Sequence, residues 1–249
     1  MTTVVVTMAG RSQRFRDAGY DAPKFTIEVH GRTLFEWSLR SLWSWLTLDD
    51  VHLILVSRRE DAAQGFVRRR CEAFGIASWS LVELDHTTDG QATSVLAALP
   101  QVVDLDAALL IYNIDTHVDP AVLSADRVRG DGWLPCFPGR GAAWSFARAD
   151  QDGRVLEVRE KQRISDDATI GLYWFRSFRL YENLYAQASQ AGRGLHAGER
   201  YIAPLYDDLV RRGGTVYLER LPYEAVVPLG TPAEVEAFRV RAAIGGSAR

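Results

Sequence analysis

Cysteine is nearly absent from this sequence, with only Cys71 and Cys136 present. Two cysteines in a chain of 249 residues cannot form the disulfide framework of a small secreted domain. They are expected to be free buried thiols in a reducing compartment. An excess of charge of one sign is also missing. Lys and Arg total 29 against 32 Asp and Glu, a formal net charge of −3. Nucleic-acid binders usually carry a strong basic excess, so no nucleic-acid partner is expected and any phosphate-binding charge must be local. No stretch reaches the roughly 20 apolar residues of a membrane span, so no membrane partner is expected either. The first residues, Met1 to Met8, lack the charged start and long apolar run of a signal peptide. The expected location is the cytoplasm. There are no repeats or low-complexity tracts. The sequence is 47% hydrophobic and 24% charged, as in an ordinary globular protein of one large or two small α/β domains.

The first half alternates strand and helix. Val4–Met8 is a short β-branched run suited to a buried parallel strand. The polar stretch 9–23 follows, and then Phe35, Leu39, Leu42 and Leu46 recur at helical spacing over Thr33–Thr47. Trp37, Trp43 and Trp45 on that helix read as core or interface. His52–Ser57 and Trp79–Leu84 are further strands, separated by a charged helix over Glu60–Phe74. Thr87-Thr88-Asp89 can cap a helix over Gln91–Leu99, and Ala107–Tyr112 is another buried strand. This alternation predicts a parallel sheet with helices on both faces. After about residue 130 the pattern changes to short strands at Leu134–Phe137, Ala143–Arg148, Arg154–Arg159 and Ala168–Phe175. Helices at Ser177–Ala191 and Ile202–Arg212 and a strand at Thr215–Arg220 follow. Thr231-Pro232-Ala233-Glu234 reads as a capping box opening the last helix. Gly245–Arg249 reads as a frayed tail. The expected organisation is one domain over 1–244, with an alternating half to about 130 and an inserted β-rich substrate half over about 131–230.

Three segments carry candidate chemistry. The loop after the first strand, Met8-Ala9-Gly10-Arg11-Ser12-Gln13-Arg14, is rich in small residues that let backbone N–H groups approach a phosphate. Arg14 can fork two phosphate oxygens, and Lys24, after Pro23, supplies a compact charge. Asn113-Ile114-Asp115 ends a buried strand at the same edge, where one carboxylate suits a hard cation bridging NTP phosphates. Glu160-Lys161 can offer a substrate one acceptor and one cation. Taken singly, each feature is common. Small-residue loops are widespread, an aspartate after a strand often caps a turn, and a Glu-Lys pair is usually a surface ion pair contributing about 0–1 kcal/mol.

In combination and in this order, the segments resemble the sugar-phosphate nucleotidyltransferase family, the nucleoside-diphosphate-sugar pyrophosphorylases. Ala9-Gly10-Arg11-Ser12-Gln13-Arg14-Phe15 with Pro23-Lys24 matches the opening G-G-x-G-T-R-L/F and P-K signature. Val29-His30-Gly31-Arg32-Thr33-Leu34 matches V-x-G-x-x-L, and Thr88-Asp89-Gly90-Gln91-Ala92 resembles the segment that contacts the base. Asn113-Ile114-Asp115 matches N-G-D, Glu160-Lys161 with Thr169-Ile170-Gly171-Leu172-Tyr173 matches E-K…G-L-Y, and Leu229-Gly230-Thr231-Pro232 resembles D-x-G-T-P. The resemblance spans roughly residues 3–240. It implies a Rossmann-like mixed sheet flanked by helices, of the nucleotide-diphospho-sugar transferase type. It also implies a Mg²⁺-dependent enzyme joining an NTP to a sugar 1-phosphate or another small phosphate and releasing pyrophosphate.

Carried over by position, Arg14 and Lys24 would be catalytic and Asp115 would bind the metal. Met8, Ala9, Gly10, Ser12, Gln13, Asp85, Gly90 and Gln91 would bind nucleotide. Asn113, Trp144, Glu160, Lys161, Thr169 and Gly171 would bind the acceptor. The Met-Ala-Gly-Arg opening and Ala-Gly-Tyr before Pro-Lys look closest to a subgroup of capsule, cell-surface and secondary-metabolite pathways, with phosphocholine-like alcohols among its substrates. A homo-oligomer is an open expectation.

The sequence departs from the family pattern at several points. Ala9 and Ser12 replace glycines, Asp85 stands near a base-reading glutamine of some relatives, and Trp144-Ser145 takes a tyrosine-glycine position. Pro228 replaces the aspartate that often completes the metal site, and Glu224 is a guess at its substitute. Two rival readings follow. One is an NDP-sugar-dependent glycosyltransferase, for which 113–115 offers only the last member of an Asp-x-Asp motif. The other is a non-catalytic nucleotide-binding relative.

Overall fold

The computed structural model describes residues 1–244; the expected tail at 245–249 lies outside them. Four parallel strands form the first half of the sheet: β1 Thr2–Thr7, β2 Val51–Arg58, β3 Trp79–Leu84 and β4 Ala108–Asn113. β1 is central, with β2 on one side and β4 on the other, and β3 pairs with the outer edge of β2. The second half is mostly antiparallel and comprises β5 Gly132–Pro138, β6 Ser145–Ala149, β7 Val155–Glu160, β8 Asp167–Thr169 and β9 Leu172–Phe175. The strand order is β7-β6-β8-β5-β9-β4-β1-β2-β3. A tenth strand, β10 Val216–Arg220, runs parallel to β5. The mixed sheet in a single α/β domain agrees with the predicted class.

Alternation along the strands creates two cores. Val5, Ile54, Leu109 and Ile111 face one layer, made of α4 Gln91–Leu96, α5 Phe178–Gln190 and α6 Ala203–Arg211. Val4, Val6, Leu53, Leu110 and Tyr112 face the other, made chiefly of α2 Leu34–Ser41 and α3 Gln64–Ala73. A third, smaller cluster joins Phe15 of α1 (Gln13–Asp17) to Leu34, Leu229 and Val235 of α7 (Pro232–Ile244). It anchors α1 against α7.

Several local expectations are corrected. The Thr33–Thr47 helix breaks at Leu42 and resumes as a single turn at Trp43–Leu46. Trp45 is buried there, but Trp43 is 46% exposed and not core. Ala168–Phe175 is two strands, because Gly171 takes φ 80° and turns the chain from β8 to β9. α4 starts at Gly90 with no side-chain cap. Asp89 instead bonds Thr93 and Arg200. Both cysteines are free and buried, as predicted. Among the described residues no helix is long and apolar enough to cross a membrane.

His117 lies two residues beyond Asp115 and is wedged between Trp37 and Phe238. Its Nδ1 is 3.0 Å from the Trp37 carbonyl oxygen. Burial pushes its pKa down from 6.5 to about 4. The unfolded chain therefore binds more protons than the folded one between those values, and stability is lost as pH falls from about 6.5 toward 4. The differential is about 3 kcal/mol at most. Urea midpoints measured at pH 7.5 and pH 4.5 should differ less in His117→Gln than in the wild type. An equal pH dependence would remove His117 as its source.

Candidate active site

The site begins where β1 and β4 end together. Thr7 pairs with Val56 on one side and Asn113 on the other, so the loops after β1 and β4 emerge at one edge. The Met8 amide donates to the Val56 carbonyl at 2.8 Å and holds the start of the loop in sheet register. Ser12 then adopts φ 54°, and its carbonyl accepts from the Phe15 amide at 2.9 Å. Ser12 thus takes the left-handed turn at a position where the motif the sequence resembles has glycine. Phe15, buried, packs edge-on against Tyr20 and fixes α1, from which Arg14 faces the cleft.

Lys24 is placed by its neighbours. Pro23 precedes a single 3₁₀ turn over Lys24–Thr26, and Phe25 sinks into the core against Phe66 at 5.5 Å. With Phe25 pinned, the Lys24 ammonium reaches Asp115 and donates to its Oδ2 at 2.7 Å across 91 residues of sequence. The two side chains are 14% and 26% exposed. The pair is therefore shielded enough to be strong and open enough to meet a ligand. Gln91, the first residue of α4, donates its Nε2 to Thr7 Oγ1 at 3.1 Å and to Asn113 Oδ1. A methyl group on Gly171 would collide with the Asn113 side chain, so a glycine there leaves room for Asn113.

These residues line a cleft of about 700 Å³ bounded by 7–15, Lys24, 87–91, 113–115, Gly198, Glu199 and Tyr201. A second pocket of about 340 Å³ adjoins it and holds Trp144, Glu160, Lys161, Thr169, Gly171 and Tyr173. Arg14, Gln91, Asn113, Asp115, Tyr201 and Gly230 line both. Every site residue predicted from the sequence faces one of the two pockets except Asp85. That carboxylate pairs with Arg59 at 2.5 Å and lines a separate groove with Arg11 and Arg58. Its carboxylate is committed to a neighbouring arginine outside the cleft. Glu224 is exposed, with its carbonyl accepting from Arg241 at 3.0 Å, and lines neither pocket.

In the smaller pocket Glu160 accepts from the Ser145 hydroxyl. Burial holds its carboxyl above the ordinary range, while Ser145 and Lys161 pull it the other way. Lys161 takes φ 51°, its amide donating to the Trp144 carbonyl at 3.0 Å. Its ammonium meets the Tyr201 hydroxyl and lies 4.3 Å from the centre of that ring. Tyr201 in turn donates to Glu199. Tyr201 and Glu199 were not found from the sequence. They sit on a small hairpin (Leu195–His196 with Glu199–Arg200) whose short strands carry no strong periodicity. Glu234, read from the sequence only as a helix cap, lines the smaller pocket as well.

A family model described as the MobA-like NTP transferase domain matches residues 4–153. The chain belongs to the MobA-like NTP transferase family. A nucleoside-diphosphate-sugar pyrophosphorylase from Vibrio cholerae RC9 is 33% identical and superimposes with a TM-score of 0.86, covering 95% of this chain and 99% of that one. The inositol-1-phosphate CTP transferase from T. maritima is 15% identical, with a TM-score of 0.75 over 97% of this chain and 96% of that one. At that identity it supports the shared fold alone. A search of the curated proteins gives no match. Membership makes the chain a nucleotidyltransferase with an NTP as co-substrate.

The hairpin is tied to the 87–91 loop at Gly90, where φ is 146° and a methyl group would overlap the Arg200 backbone. Arg200 also donates to Asp89 through its amide at 2.7 Å and its Nε at 2.9 Å. Gly90→Ala combines strain with overlap, a cost of about 1–3 kcal/mol. It should raise the open population of the hairpin about tenfold or more. Trypsin cleavage at Arg193, followed by mass spectrometry, should speed up by that factor; an unchanged rate would show that the hairpin is not held at Gly90.

Proposed function

We propose that the protein joins an NTP to a sugar 1-phosphate or another small phosphorylated acceptor and releases pyrophosphate, serving surface-polysaccharide or secondary-metabolite synthesis in the cytoplasm. One observation carries the reading. Arg14 and Asp115, the latter paired with Lys24, stand where a nucleotide-sized cleft meets a smaller pocket ending in Glu160 and Lys161. The name of the Vibrio cholerae relative supports a sugar phosphate as acceptor. The two free buried thiols fit a reducing compartment.

An acceptor phosphate oxygen attacks the α-phosphorus in line. The bond from that phosphorus to the bridging oxygen breaks, and pyrophosphate leaves with the electron pair. Such a transfer depends on positioning and charge stabilisation, with little covalent work for the protein. Arg14 holds the leaving pyrophosphate. Lys24 moves from Asp115 to the α-phosphate and the incoming phosphate. Lys161 exchanges the Tyr201 hydroxyl for the acceptor phosphate, and Glu160 accepts from an acceptor hydroxyl. The backbone at Met8–Gly10 and Gly90–Gln91 reads the base, in a nucleotide half running to about residue 130. Acceptor contacts come chiefly from 131–230.

Among the described residues no three His, Cys, Asp or Glu side chains converge to cage an ion. The hard oxygens of Asp115 and Asn113 beside a phosphate site nonetheless fit Mg²⁺, which binds through one or two carboxylates and keeps water and phosphate ligands. Held by Asp115, Mg²⁺ would supply charge neutralisation for the phosphates.

Incubation with each NTP, Mg²⁺ and a panel of sugar 1-phosphates and other small phosphates, following pyrophosphate, tests this reading. Release that depends on the acceptor is expected, and Lys24→Ala or Asp115→Ala should lower kcat by on the order of 10²–10³. NDP release from an NDP-sugar without pyrophosphate, nucleotide binding without turnover, or wild-type rates in both variants would overturn it.

A further inference from the structure

We propose that Glu234 supplies the second carboxylate of the divalent-cation site, in place of the aspartate that Pro228 replaces. The inference rests on the reading of function given above. Pro228 pairs with Thr116 in a short antiparallel ladder between Thr116–Val118 and Val226–Pro228, so the backbone course beside Asp115 is kept although the carboxylate is gone. The next residue, Leu229, donates its amide to the Asp115 carbonyl at 2.8 Å, which sets Gly230 against the Asp115 side chain. A Cβ on Gly230 would lie 3.4 Å from Asp115 Oδ2 and 3.6 Å from Glu234 Oε2. The two carboxylate oxygens therefore flank one small space, and a methyl group would partly fill it. No positive φ requires glycine at this position.

The helix cap gives an independent indication. The same T-x-x-E pattern occurs twice in the chain. At Thr33–Glu36 the box closes: the Glu36 amide donates to Thr33 Oγ1 at 3.2 Å, and the Thr33 amide donates back to Glu36 Oε2 at 2.8 Å. At Thr231–Glu234 only the first half forms, with the Glu234 amide donating to Thr231 Oγ1 at 3.2 Å. Among the described residues the Glu234 carboxylate accepts no hydrogen bond and makes no ion pair. It is turned toward Gly230 and Asp115. Lys24 already donates to Asp115 Oδ2; when it leaves for a phosphate, the two carboxylates remain beside one space that a cation can occupy. Two hard oxygens are what Mg²⁺ takes from a protein when phosphates and water complete its shell.

Mn²⁺ binding to the full-length protein, titrated by electron paramagnetic resonance with saturating NTP, tests the assignment. Wild type, Glu234→Gln and Asp115→Asn are compared, and metal-free nucleotide affinity is measured in EDTA. Glu234→Gln is near-isosteric and should weaken Mn²⁺ binding on the order of tenfold or more, leave metal-free nucleotide affinity unchanged and keep the wild-type circular dichroism spectrum. If Glu234→Gln binds Mn²⁺ like the wild type while Asp115→Asn loses it, Glu234 is not a ligand and the proposed function stands. If wild type adds no Mn²⁺ affinity to that of the NTP and releases no pyrophosphate with any acceptor, the proposed function falls and takes this inference with it.

Discussion

The site depends on the register of β1 between β2 and β4. Parallel strands paired over six residues on each side must end together. Two loops separated by about a hundred residues are thereby delivered to the same edge of the sheet. The valines of β1 alternate between the two cores, so a one-residue slip would expose Val5 to the wrong layer. Register is thus fixed by burial on both faces, and site geometry follows from it. Small-residue backbone at Met8–Gly10 meets Asn113 and Asp115 because hydrophobic packing leaves the strands no alternative alignment.

Upon this frame the chain places charges that are neutralised but not satisfied for good. Asp115 holds Lys24, Glu160 holds Ser145, and Lys161 rests on Tyr201, which itself donates to Glu199. Each partner is one that an incoming phosphate, hydroxyl or cation can replace. An ammonium on a carboxylate is stable in a half-buried cleft, and a cation-bound triphosphate offers both groups equivalent partners. The anchors behind these charges are apolar and permanent: Phe25 behind Lys24 and Phe15 behind Arg14. Burying the residue adjacent to each cation fixes its backbone and limits reorganisation when ligand arrives.

The first half of the fold was legible from the sequence because a buried parallel strand has a short continuous apolar signature, and each such strand was bounded by polar loops. That Asp115 and Lys24 share one cleft was legible through their order along the chain rather than through either segment alone. The remainder was hidden for physical reasons. Gly171 splits β8 from β9, but a glycine within an apolar run reads equally as a weak strand position. Glu199 lies on a two-residue strand and Tyr201 directly after it, too short a stretch for periodicity to register. Asp85 sits at the end of β3, one strand away from the cleft wall, and its side chain is taken by Arg59. Sequence distance from Asp89 gave no sign of that.

Glu234 illustrates a more general ambiguity. A glutamate three residues after a threonine has two competing uses for its carboxylate, the free amide at the helix start and whatever lies beyond it. In α2 the space beyond holds an arginine at the edge of reach, Arg70 at 3.3 Å, and the carboxylate serves both. In α7 the helix begins close to Asp115, and a carboxylate closing the box would leave that aspartate, among the described residues, with its ion pair to Lys24 alone. In the proposed reaction Lys24 moves to a phosphate, and the site would then have a single carboxylate to hold a cation. An open box costs helix α7 about 1 kcal/mol or less, small beside the charge that a triphosphate brings into the cleft. The motif is the same in both helices; the charge waiting in front of it decides which use prevails.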